Sequence, residues 1–451
     1  MNGRRFANLV LSGAALVALL GAFLISTGAN PDWGWMSRRL PFITALLVLA
    51  SLLIAAMRLP VGARIALAMS LVSAGVGIYA MEGFLRWRNL TWVRTAARNL
   101  GNSYDPRLRM EVLLDLRQAG VNAWPLVFPL SLLKHPESDA LFPLGGISSV
   151  TTVHCNETGP YVIYRSDEHG FQNPPGAWKA GTLEVAIVGD SNAQGNCVEP
   201  SQTAASRIRS VFPATLNLAM EGNGPLIELA AIREFLPELR PSRVLWVFCE
   251  GNDLTSNLPL ERNNPILMQY LRPDFRQNLV ARQDEVDALL EKRVSDNIKH
   301  GEAAVASQRS QVRHEFLEGW LRLRFLRFSI GQRSTARKPA GSVDLDLFRR
   351  ILQEAKDTVT SWQGRLFFVY LPNQEVFLDP AFARENQDDH RRILSLLSEL
   401  DIPVIDLLTA FQTVKDPNAL YANPGPHLNP TGYALMGNTI VGALKADAPG
   451  K

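Results

Sequence analysis

Four short stretches of the 451-residue chain hold residue types that could act together on a carbonyl group. V-A-I-V-G-D-S-N-A-Q-G carries Ser191, N-L-A-M-E-G-N-G-P carries Gly222, C-E-G-N-D-L carries Asn252, and G-P-H-L-N-P-T-G-Y carries His427. Acyl transfer needs a nucleophile, a base that takes its proton, and donors aimed at the oxygen that becomes negative. A serine, a histidine, a glycine turn and an amide can fill those places. Each stretch alone also has a plainer reading, because Ser and Asp are favoured helix N-caps and G-N-D or G-x-G is ordinary turn chemistry. Of the seven histidines, only His427 stands at the entry to a predicted helix; His135, His154, His169, His300, His314 and His390 read as surface or loop residues.

Other chemistries find no support. There is no C-x-x-C or H-x-x-x-H cluster, no Walker loop and no G-x-G-x-x-G after a strand, so neither a metal nor a nucleotide cofactor is predicted. A net charge of +3 is too small and too spread to suggest nucleic acid.

The elements that must position these residues follow from the pattern after about residue 181. Short apolar runs at 185–188, 215–219, 243–249, 366–371 and 403–405 alternate with helical ones at 203–211, 226–236, 344–362, 388–400 and 431–444. Strands alternating with helices predict an α/β fold with a parallel sheet covered on both faces. Ligands in such folds bind at the carboxyl ends of the strands, where Ser191 falls. An insertion at about 258–340 holds a polar helix, 282–316, and then the basic, apolar W-L-R-L-R-F-L-R-F, which could be a lid, a partner surface, a membrane-surface segment or a solvated piece packed on the sheet.

The N-terminal region is different. Residues 6–26, 40–57 and 65–81 are free of charge and near the length that crosses a bilayer, which predicts three transmembrane helices within a membrane anchor, 1–86. M-N-G-R-R could open a signal peptide, but no convincing A-x-A site follows, so the run reads as a retained anchor. With the N-terminus inside, Arg4, Arg5, Arg58 and Arg64 face the cytoplasm while Arg38, Arg39, Arg86 and Arg88 face out, and this balance does not orient the chain. Cys155 and Cys197 flank the G-D-S region as a local disulfide requires, which points outside the cytoplasm; Cys249 lies in an apolar strand and reads as a buried thiol. Residues 87–150 read as a connector, with an amphipathic helix near 105–118, and no chemistry is assigned to it.

The four blocks in this order, three of them at predicted strand ends, resemble the SGNH (GDSL-like) hydrolase superfamily over about 181–444. The resemblance implies a flavodoxin-like three-layer α/β/α SGNH hydrolase domain, 151–447, with a parallel sheet. It further implies Ser191 as nucleophile, His427 as base, and an oxyanion hole made by the Ser191 and Gly222 backbone N–H groups and the Asn252 amide. Many family members carry an Asp two or three residues before the histidine, where this chain has Pro424 and Gly425. The substitute to look at is Asp406, at the end of I-P-V-I-D, although an acid there also reads as a strand-end cap. The segments C-N-E-T-G, Y-R-S-D-E-H-G-F-Q-N-P and F-F-V-Y-L-P resemble membrane-anchored bacterial SGNH-domain proteins. That resemblance implies O-acetyl chemistry on a cell-surface or exopolysaccharide glycan, an inner-membrane anchor and a periplasmic hydrolase domain. Trp178, Tyr164 and Phe171 could stack on a sugar ring or belong to the core. The alternative is a non-catalytic glycan-binding or polysaccharide-assembly component that keeps the scaffold.

Overall fold

The computed structural model describes residues 2–26, 33–133, 141–179, 182–326, 343–422 and 427–447. Five strands, β4 (Val185–Gly189), β5 (Thr215–Asn217), β6 (Arg243–Cys249), β7 (Arg365–Leu371) and β8 (Val404–Asp406), form one sheet in the order β5-β4-β6-β7-β8. Every pairing in it is parallel. These strands are near-continuous apolar runs because both faces are covered. Val188, Trp246, Phe248, Phe368 and Tyr370 enter one apolar cluster with the helices Pro225–Phe235 and Leu345–Thr360. Their neighbours along the strands, Ile187, Val247, Phe367 and Val369, enter a second with the helices Ala204–Arg209 and Pro430–Ala446. The side-chain period of two thus splits the core between the two faces.

The connector is less separate than its sequence suggests. Its strand β1 (Ala123–Pro125) pairs in parallel with β2 (Thr151–Val153), which pairs antiparallel with β3 (Ile163–Arg165). The small sheet therefore crosses the expected boundary at residue 150. The chain divides into one unit of Met1–Arg88 with Glu315–Arg333 and another of Asn89–His314 with Ser334–Lys451. The insertion's polar helix is two helices, Gln283–Lys299 and Gly301–Leu321.

The N-terminal helices are α1 (Gly3–Ser26), α2 (Trp33–Ala56) and α3 (Val61–Asn99), of which α3 runs past the first unit's end at Arg88. Among the described residues two stretches, Gly3–Phe23 and Val61–Arg88, are long and apolar enough to cross a membrane, rather than the three expected. The apolar part of α2, Leu40–Ala56, is shorter, because Arg38 and Arg39 stand just before it and Pro41 lies inside the helix. At about 1.5 Å per residue such a segment reaches less than the roughly 30 Å of a hydrocarbon core.

Candidate active site

Ser191 opens a one-turn helix, Ser191–Gln194, directly after β4. Asp190 caps it: Oδ1 accepts from the Asn192 N–H at 2.8 Å, so the capping role belongs to the aspartate and leaves the serine hydroxyl free for another partner. Asn192 reaches across the site, its Oδ1 accepting from the Leu428 N–H at 3.2 Å. The other side of His427 is held as well, since its carbonyl accepts from the Ala422 N–H at 2.8 Å and Asn429 caps the helix Pro430–Ala446. With both flanks tied, the imidazole lies with Nε2 3.0 Å from Ser191 Oγ.

The third partner was not among the expected residues. His427 Nδ1 lies 2.8 Å from Glu157 Oε2. An ionised carboxylate only accepts, so Nδ1 carries the proton and Nε2 is left to accept from the serine hydroxyl. Burial pushes the imidazole toward its neutral form, but the Glu157 hydrogen bond and the charges of Glu157, Asp190 and Glu221 outweigh it, and its pKa lies above the ordinary histidine value. Asn196 Nδ2 is 3.2 Å from Nδ1 and 3.0 Å from Nε2. Near-equal distances to both nitrogens place it over the ring rather than in its plane.

Glu157 is fixed by its neighbours in the loop between β2 and β3. Cys155 and Cys197 are disulfide-bonded, with Cα atoms 5.2 Å apart, and Cys249 is a free, buried thiol. The Thr158 hydroxyl donates to the Cys197 carbonyl, Asn156 Nδ2 to the Asp105 carbonyl at 2.8 Å, and Asn102 Nδ2 to the Thr158 carbonyl at 2.9 Å. The disulfide and the Thr158 bond tie the loop to the segment that follows Ser191, and the other two tie it to residues 102–105. Replacing both bridged cysteines with serine is expected to lower unfolding free energy by about 4 kcal/mol, the loop-closure value for a bridge across 42 residues. Denaturant unfolding with and without reductant measures it, and equal midpoints for the two proteins would remove the bridge from the account of the site.

Asp406 does not reach His427. Its Oδ1 accepts from the Leu408 N–H at 2.9 Å as the cap of the helix Leu407–Gln412, and its Oδ2 lies 3.1 Å from His390 Nε2. The strand-end reading is the one the structure bears. Pro424 and Gly425 lie outside the described residues. Two other histidines depart from a surface reading: His154 is buried, with Nε2 3.3 Å from Glu221 Oε2 and its pKa lowered by burial, and His390 is half-buried beside Asp406. His135 lies outside the described residues.

The residues expected to supply oxyanion donors follow neighbouring strands. Met220 N–H donates to the Gly189 carbonyl at 3.3 Å and Glu221 N–H to Gln194 Oε1 at 2.7 Å, which brings the turn carrying Gly222 beside the Ser191 helix. Gly222 has φ +74°, and a Cβ there would sit 2.7 Å from Leu130 Cδ2. Both facts demand glycine. After it, Glu261 accepts from the Gly224 and Leu226 N–H groups at 2.7 and 2.9 Å, and Asn257 Nδ2 donates to the Asn223 carbonyl at 2.9 Å. Burial pushes the Glu261 carboxyl up to about 8 despite those bonds. Asn252 Nδ2 donates to Asp190 Oδ2 at 2.9 Å. An amide nitrogen carries two hydrogens, so one remains for a ligand.

The aromatic residues considered for sugar stacking belong to the core. Phe171 and Tyr164 are buried, and Trp178 packs edge-on against His169 and Phe235 while its Nε1 donates to Asp167 Oδ2 at 2.8 Å. Asp167 also accepts from the His169 and Phe171 N–H groups, so it organises the turn through D-E-H-G-F.

No family model and no curated protein matches the chain. Among solved structures it is similar to TesA, at 10% identity over 58% of this chain and 99% of that one, with a TM-score of 0.33. It is also similar to a lipase/acylhydrolase from Enterococcus faecalis, at 14% identity over 60% of this chain and 99% of that one, with a TM-score of 0.33. The acetyl xylan esterase AlAXEase gives 12% identity over 58% of this chain and 100% of that one, with a TM-score of 0.31. The chain resembles the SGNH (GDSL-like) hydrolases in the ordered residues Ser191, Gly222, Asn252 and His427 and in the parallel sheet whose strands precede the first three.

Proposed function

We propose that the chain is a membrane-anchored serine esterase that removes or transfers O-acyl groups, acetyl foremost, on a cell-surface or exopolysaccharide glycan. The observation that carries the reading is the run from Ser191 Oγ through His427 to Glu157, at 3.0 and 2.8 Å. Ser191 Oγ attacks the ester carbonyl while Nε2 takes its proton, and the Ser191 and Gly222 N–H groups with the free Asn252 hydrogen receive the developing O⁻. The imidazolium then protonates the leaving alcohol. Water or a sugar hydroxyl attacks the acyl-serine and gives its proton to Nε2; the bond from the acyl carbon to Ser191 Oγ then breaks, releasing the acid or the new ester, and the imidazolium returns the proton to Oγ. The Glu157 carboxylate on Nδ1 fixes the tautomer and stabilises the imidazolium.

The glycan rests on the resemblance of the flanking segments to membrane-anchored bacterial proteins, and the both-face covering of the sheet suits a flavodoxin-like three-layer domain. A disulfide beside the site supports an exported, periplasmic domain, since such bonds persist in oxidising compartments. The absence of an acid shortly before His427 in sequence favours a non-catalytic reading less once Glu157 supplies a carboxylate on that ring.

The test uses the full chain in detergent. With 4-nitrophenyl acetate it is expected to release acid, and an organophosphonate should leave its adduct on the peptide bearing Ser191. An unlabelled Ser191 together with retention of an acetylated glycan would transfer the chain to the binding class. Adding a deacetylated glycan to the acyl-serine then separates transfer from hydrolysis.

A further inference from the structure

The return of the insertion to the N-terminal unit is not explained by the ester chemistry. Residues 315–326 pack on α3 where its charge-free run ends. Trp320 lies parallel to Tyr79 with ring centroids 6.1 Å apart, and a Cβ on Gly83 would sit 3.3 Å from Trp320 Cη2. One turn on, the Arg86 guanidinium covers the rings of Phe316, Trp320 and Phe325 at 4.9, 5.4 and 5.2 Å. Its Nε donates to Glu82 at 2.7 Å. Glu82 is fully buried and also accepts from the Phe325 and Leu326 N–H groups, at 3.2 and 2.8 Å. A buried carboxylate is costly unless paired and hydrogen-bonded, so the returning segment completes the satisfaction of a charge on the helix itself.

The outer side of this pairing is apolar. Phe316, Leu317 and Leu321 are 54, 53 and 74% exposed, and the same stretch of α3 exposes Met81, Phe84 and Trp87. Water would not favour so continuous a set of large apolar side chains. Arg88 and Arg322 stand beside them in sequence. Aromatic and aliphatic side chains with flanking arginines are the composition of segments that lie in the headgroup region of a bilayer. The end of a spanning helix is where that region begins.

We propose that residues 315–326 are a second membrane contact: an interfacial segment that lies in the headgroup and upper acyl layer beside α3, with Phe316, Leu317 and Leu321 in lipid. The occupant of this face is the bilayer, because these exposed apolar side chains lie on a segment packed against the end of a helix long and apolar enough to span. The insertion is then a tether, which returns the chain to the membrane at a second point in the sequence.

The test places an environment-sensitive NBD group on Leu321→Cys in the full chain, reconstituted in phosphatidylcholine and phosphatidylglycerol vesicles. The native cysteines do not interfere, being bridged or buried. Leu321 is largely exposed, so the substitution leaves the packing on α3 intact, and Leu317→Cys gives an independent second site. The expected result is blue-shifted emission that loses most of its intensity to a shallow nitroxide lipid and little to aqueous iodide. Emission at the aqueous wavelength, quenched by iodide and untouched by the lipid nitroxide at both sites, would overturn the proposal.

Discussion

Ser191→Ala is expected to remove turnover of an activated acetyl ester almost entirely, by about 10⁶-fold in kcat, the scale seen when the nucleophile of an acyl-transfer triad is removed. The effect should be chemical rather than structural. The cap of the Ser191–Gln194 helix is the Asp190 carboxylate, and alanine has good helix propensity, so the local fold has no reason to change. The Ser191 N–H survives the substitution, as do Gly222 and Asn252, so ester binding and the oxyanion donors persist. What disappears is the oxygen 3.0 Å from His427 Nε2. The measurement is therefore paired: steady-state hydrolysis for what is removed, and binding of a slow ester or phosphonate analogue for what is kept. Hydrolysis within tenfold of the parent chain would sink the covalent mechanism, since the serine is the nucleophile that His427 can activate at 3.0 Å.

How far the sequence led is best judged from particular residues. The five parallel strands were legible because each is a short apolar run bounded by turn residues, and burial on both faces permits no other pattern. That Ser191, Asn252 and His427 stand close to where an element begins, and Gly222 in a turn, was legible because the local chemistry is written beside each. Glu157 was not. It lies in a loop on the N-terminal side of Ser191, and nothing in C-N-E-T-G fixes where that loop goes. The one available signal was the cysteine pair: a bond from Cys155 to Cys197 carries everything between Cys155 and β3 toward the serine. Asp406 misled for the opposite reason, because a strand-end carboxylate looks the same whether it caps the next helix or faces a histidine. The three-residue strands β1 to β3 lie outside any alternation of apolar runs with helical ones, unlike the equally short β5 and β8, and a helix such as α2 looks long until its arginine pair and proline are weighed.

Glu157→Gln is expected to lower kcat by about 10² to 10⁴-fold and to move the pH dependence of kcat/KM, the upper figure being that for an aspartate-to-asparagine change in a serine triad. Gln keeps the size of the side chain and removes its charge. Two consequences follow from the position of the carboxylate on Nδ1, 2.8 Å away. The imidazolium formed during attack loses the anion that stabilises it, which slows the step. The free imidazole also loses the largest influence raising its pKa, so proton release moves to lower pH. The base acts only when neutral, so in the parent chain kcat/KM rises with pH to a plateau, with a midpoint above the roughly 6.5 of an unperturbed histidine. In the variant that midpoint shifts down, while Asp190 and Glu221 still hold it partway up. Asp406→Asn is the matched control. Asparagine caps a helix as well as aspartate does, and the substitution gives up only a partly exposed ion pair with His390, so both kcat and the midpoint should stay where they are. A downward shift confined to Glu157→Gln assigns the acid to the loop before the nucleophile. A shift confined to Asp406→Asn would assign the acid to Asp406 instead, and a shift in neither would leave Ser191 and His427 working as a dyad.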